Sequence, residues 1–126
     1  MVNFRCGTHM APVLGVVDSG ADGTLLPKSM AAELGLDAAT DLVSTNEGSG
    51  GAGGTSFKTW TTTSDITGRV VAFAPDGPEL WGPVVTFRPV FADGELALFG
   101  RADFFRSFRI TFETNSTHGP IFHLDC

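Results

Sequence analysis

No apolar run in this chain is long. From "VNFR" through "VLGVV", "TLL", "RVVAF" and "LALF" to "FRITF", each hydrophobic stretch is cut after a few residues by glycine, proline or a polar turn former. Runs this short suit strands, and none approaches the length needed to cross a bilayer. Strands are expected at Val2–Arg5, Val13–Val17, Thr24–Leu26, Leu42–Ser44, Phe57–Thr63, Arg69–Phe73, Val84–Val90 and Leu96–Phe99. Further on, Phe108, Ile110 and Phe112 alternate with Arg109, Thr111 and Glu113, as in a half-buried strand. The run Ile121–Leu124 can pair back on it through "NSTHGP". One longer helix stands out in "PKSMAAELGL": Pro27 suits a helix start, Met30, Leu34 and the alanines form a packing stripe, and Gly35 ends it. A short helix fits Ala102–Arg106. Many short strands with one or two helices specify an all-β barrel or sandwich, and 126 residues make one domain, 1–126, with no repeat or linker.

Composition narrows the partners. A hydrophobic fraction of 42% is too high for disorder. The net charge of -6, with eight scattered basic residues, argues against nucleic acid, whose phosphates need clustered Lys and Arg. Cys6 and Cys126 read as two free thiols of a reducing compartment, with a disulfide joining the ends as the alternative. The run Ala11–Val17 is short, contains Pro12 and ends in Asp18, so it does not read as a secretory signal, and a cytoplasmic protein is expected. His9, His118 and His123 have neither a helical i,i+4 partner nor a nearby Cys cluster, so no metal site is expected.

Two stretches invite chemistry. Gly48-x-Gly50-x-x-Gly53 matches the letters of the dinucleotide pattern, yet that pattern needs a helix after it to hold the pyrophosphate. Here "TSFKTWTTT" follows, which is β in character. The glycines read instead as a hairpin tip or a mobile flap. The second stretch is "GVVDSGADG", in which two valines lead into Asp18 and the bulk then disappears. A carboxylate is costly to desolvate unless it is paired, hydrogen-bonded or used. Asp18, Asp22 and Gly23 imitate the start of a calcium loop, but Ser29 stands where a bidentate Glu is needed. Asp-Ser-Gly is also an ordinary turn.

Three stretches in order carry more than any of them alone: "VVDSGADGTLLP", "GSGGAGGTSFKTW" and "LALFGRADFFRSFRITFE". Together they resemble the retropepsin-like aspartic proteases, the retroviral proteases and their bacterial relatives, over about residues 2 to 113. The resemblance implies the single-lobe acid-protease barrel, closed or partly open. It also implies an aspartic endopeptidase that needs no cofactor and cleaves an extended peptide. Asp18 matches the catalytic carboxylate, and Ser19 the hydroxyl residue that bonds across to a partner chain. Gly20 matches the glycine whose carbonyl approaches substrate. Ala21 keeps the floor narrow, and Asp22 fits a position that holds peptide backbone. Gly50, Gly51, Ala52, Gly53 and Gly54 match the flap tip, and Arg101 matches an arginine that pairs with the acid at Asp22.

Peptide hydrolysis by carboxylates takes two of them around one water, one ionised and one protonated. This chain has one Asp-Ser/Thr-Gly, so a homodimer with one Asp18 from each copy is expected. The retroviral chains begin several residues earlier, with a strand that interleaves with the partner's C-terminus, whereas this sequence starts nearly at the following strand. The C-terminal hairpin Phe108–Phe112 with Ile121–Leu124 is therefore the expected dimer contact. The segment "APDGPELWGP" has no match, and its Trp81 either lines a subsite or, the preferred reading, caps the barrel. The competing reading of the whole chain is a non-catalytic module that dimerises or grips peptides.

Overall fold

Gly7 makes the first reversal. With φ +58° it is the first of two turn residues between Cys6 and His9, where a two-residue hairpin favours glycine. It joins β1 (Val2–Cys6) to β2 (His9–Val13). The computed structural model describes residues 1–50, 55–115, 117 and 121–126, and these are mostly strand with two one-turn helices. β1 also pairs with β7 (Ile66–Ala74), which pairs with β8 (Gly77–Phe87), giving a four-stranded antiparallel sheet ordered β2-β1-β7-β8. Both of its outer strands carry proline: Pro12 in β2, and Pro78 and Pro83 in β8.

The second sheet has six strands: β3 (Val16–Val17), β4 (Leu25–Pro27), β5 (Val43–Gly50), β6 (Thr55–Thr61), β9 (Val90–Ala92) and β10 (Leu98–Phe99). Their order is β3-β10-β4-β9-β6-β5. A third sheet is only a hairpin, β11 (Arg109–Glu113) with β12 (Ile121–Asp125). Among the described residues no sheet closes on itself, so the strands form three separate sheets where a barrel was expected.

Phenylalanine fills the space between the larger sheets. Phe4 meets Phe87 edge-on at 4.8 Å, and Phe99, Phe104 and Phe108 continue the cluster at centroid spacings of 5.3 and 5.0 Å. Each ring is buried, which contributes roughly 1.5–3 kcal/mol. With no Tyr in the chain, this core has no phenol hydroxyl to satisfy.

Several boundaries differ from the sequence expectation. The expected long helix is one turn, α1 (Met30–Glu33). Pro27 lies in β4, in parallel register with Ala92 of β9, so the helix starts later. Gly35, at φ +72°, stops it. The run Val13–Val17 is split between β2 and β3. "GPELWGP" belongs to β8, because the outermost strand of a sheet tolerates proline. Gly82 and Pro83 form a bulge there, and the Arg69 guanidinium donates twice to the Gly82 carbonyl, at 2.9 and 3.1 Å. Trp81 stacks on Phe108 at 5.9 Å. The second helix, α2 (Phe104–Ser107), is capped by Asp103, whose carboxylate accepts from Phe104 N at 2.7 Å.

Both cysteines are free thiols. Burial, then the charges of Asp41 and Asp65, push the Cys6 thiol above its ordinary pKa. No described helix is long and apolar enough to cross a membrane.

Candidate active site

The strand β10 organises the loop that carries Asp18. It lies between β3, which it pairs in parallel, and β4, which it pairs antiparallel. The chain leaves β3 at Val17, makes the loop 18–24 and returns as β4 on the other side of β10. The loop is therefore stretched over the end of β10 and has to reach Gly100 closely. A Cβ on Gly100 would collide with the backbone of Gly23 and lie 2.9 Å from the Ala21 carbonyl. Only glycine fits.

Backbone hydrogen bonds fasten the loop from end to end. Asp18 N donates to Phe99 O at 3.0 Å, and Ala21 N donates to Asp18 O at 3.2 Å. Arg101 N donates to Ala21 O at 3.0 Å, and Ala102 N donates to Asp22 O at 2.7 Å. Beneath the loop, Thr24 Oγ1 donates to Asp103 Oδ1 at 2.6 Å, both residues being buried. Asp103 thus joins the far end of the loop to the start of α2.

Asp18 itself is half-buried, and its Oδ1 accepts from Gly20 N at 2.8 Å. A Cβ on Gly20 would lie only 3.1 Å from that same oxygen, so the missing side chain lets the amide approach. Ser19 is exposed, and Ala21 is half-buried on the loop. Arg101 Nη2 donates to Asp22 Oδ1 at 2.5 Å in an ion pair whose side chains are 57% and 95% exposed. Exposure on that scale leaves such a pair little effect on stability.

The glycine-rich hairpin belongs to the same sheet as the acid loop. Gly50 ends β5, whose pairing with β6 runs from Val43↔Thr61 to Gly50↔Thr55. Gly51, Ala52, Gly53 and Gly54 lie outside the described residues. Between the hairpin strands and the loop strands is an apolar cleft of about 410 Å³, lined by Leu25, Phe57, Lys58, Ala92, Asp93, Leu96 and Leu98. Leu26 and Phe99 are buried in the core, so period-two alternation turns Leu25 and Leu98 to the opposite face, into the cleft. Asp18 does not line it.

The described residues singled out from the sequence therefore fall on two features, the loop Asp18–Asp22 with Arg101 and the end of β5 at Gly50. Sequence reasoning missed the Thr24–Asp103 bond and the cleft. The alternation of Leu25 with Leu26, and of Leu98 with Phe99, was the available signal for the cleft. The partners 79 positions apart in the Thr24–Asp103 bond left no local signal. Among the described residues no three His, Cys, Asp or Glu side chains are grouped as metal ligands. Comparison of the chain with protein-family models, with curated proteins and with solved structures found no match.

Proposed function

We propose that this chain is half of a homodimeric aspartic endopeptidase of the retropepsin-like kind, in the single-lobe acid-protease arrangement. The observation that carries the reading is the Asp18 loop. Its partly exposed carboxylate is oriented by the Gly20 amide, on a backbone bonded at Asp18 to Phe99 of β10 and at Ala21 and Asp22 to Arg101 and Ala102 just beyond it. An ordinary Asp-Ser-Gly turn needs no such anchorage. The cleft bounded by β4, β6, β9 and β10 supports the reading too, since it offers apolar walls for side chains of an extended peptide.

In this reading two copies of Asp18 flank one water. Two carboxyl groups in contact cannot both ionise readily, so the pair shares a proton. The ionised member takes a proton from water as its oxygen attacks the peptide carbonyl carbon. The protonated member donates to the carbonyl oxygen, and collapse of the tetrahedral adduct passes a proton to the leaving amine. No cofactor takes part. The hairpin of β5 and β6 closes over the substrate and excludes water. Ser19 bonds across the pair, and Asp22, set by Arg101, holds peptide backbone. The free thiols fit a reducing compartment, the cytoplasm.

Asp18→Asn tests the reading directly. The amide oxygen can still accept from Gly20 N, so the loop keeps its shape while the acid is lost. Cleavage of a casein-type substrate should fall about a thousand-fold or more with the circular dichroism spectrum unchanged. Wild-type cleavage should be greatest at acidic to mildly acidic pH and blocked by a statine-type inhibitor. Undiminished cleavage by the variant removes the proposal, and a dimer that cleaves nothing at any pH favours the non-catalytic module.

A further inference from the structure

The hairpin of β11 and β12 is an unfinished sheet. Two strands alone are marginal in water, and among the described residues neither strand pairs with any other. One half of it is anchored. Ile110 and Leu124, paired across the strands, pack against the core. The other half is only partly covered: Phe112 and Phe122 face each other at 6.3 Å and Phe112 stacks on Phe105 at 6.5 Å, yet the two remain 50% and 45% exposed.

The sequence of β11, "RITFE", is its own antiparallel complement. Laid against a second copy about Thr111, Arg109 falls opposite Glu113, Ile110 opposite Phe112, and the same contacts recur on the other side of the axis. Both ionic positions are exposed, and Glu113 meets His123 within its own chain at 2.9 Å. The apolar match has a further consequence: each half-exposed Phe112 lands beside the Ile110 that is packed into the other copy's core. Opposite charges and apolar pairs directly across a ladder favour that register, and like charges disfavour others.

We infer that β11 is a dimerisation edge that pairs antiparallel with β11 of a second copy, centred on Thr111, making one four-stranded sheet ordered β12-β11-β11-β12. A twofold contact of this kind is closed, since each copy uses the same edge. The pairing rests on the proposed function only for its purpose, the delivery of a second Asp18, and stands or falls separately from it.

Charge exchange tests the register. Arg109→Glu places Glu against Glu113 twice, and Glu113→Arg places Arg against Arg109 twice; each should weaken the dimer about tenfold or more in sedimentation. The double exchange R109E/E113R, made with Asp125→Asn because Asp125 lies opposite residue 109 in the same hairpin, restores complementarity and should restore dimerisation. All three changes are at exposed positions, and circular dichroism checks their folding. In a Cys6→Ser/Cys126→Ser background, Thr111→Cys should cross-link into a disulfide dimer on mild oxidation, since directly opposed strand residues lie within disulfide reach. Ile110→Cys should not.

A wild-type monomer at all concentrations, failure of the double exchange to rescue, or absence of the Thr111→Cys cross-link each overturns the inference. Cross-linking and rescue in a protein that cleaves nothing leave the pairing in place and remove the protease reading. Proteolysis by a dimer indifferent to both exchanges does the reverse.

Discussion

The Asp18 loop and the C-terminal hairpin are both short, and both end against α2, but they are held in opposite ways. The loop has almost no side-chain bulk, and its position comes from backbone hydrogen bonds to Phe99, Arg101 and Ala102 and from the contact at Gly100. The hairpin is rich in phenylalanine and isoleucine, yet Phe112 and Phe122 in its outer half stay about half exposed although Phe112 also stacks on Phe105. Apolar content does not measure how firmly a segment is fixed. A segment of small residues can be held over its whole length, while a greasy one waits for a surface to cover it.

Four substitutions probe that contrast. The largest effect belongs to Gly100→Ala, because the added methyl meets backbone that cannot swing aside. Urea unfolding should show a loss of about 3 kcal/mol; a loss below about 1 kcal/mol would mean the loop is not pinned there. Thr24→Val is next. It removes the hydroxyl donor to the buried Asp103 carboxylate, and about 2 kcal/mol should disappear in the same assay. At the hairpin, Phe112→Ser should cost less than about 1 kcal/mol in dilute solution while weakening association in sedimentation. If it unfolds the monomer, the hairpin is better anchored than its exposure indicates. The smallest effect is expected from Asp22→Asn, where the ion pair with Arg101 is exposed. An unchanged thermal midpoint would show that backbone, not charge, holds the loop.

Strand content was legible because alternation and turn residues are local signals. The pairing of β11 with β12 could be read from Phe108, Ile110 and Phe112 set against Ile121–Leu124. β8 was read short because Pro78, Gly82 and Pro83 look like breaks unless the strand is known to lie at a sheet's edge, which is a tertiary fact. The helix at Met30 was read long because Pro27 suits either a helix start or a strand end, and the parallel pairing with Ala92 decides between them. The loop motif could be read as a string, but the reason for Gly100 could not, since it depends on a carbonyl 77 positions earlier.

The prolines on the outer strands of the four-stranded sheet bear on behaviour in concentrated solution. Pro12, Pro78 and Pro83 each remove an amide donor from a strand with only one neighbour, and the bulge at Gly82 bends one of those strands. Neither border of that sheet is a good template for endless stacking into fibres. Fibre growth through that sheet should therefore be disfavoured under crowding.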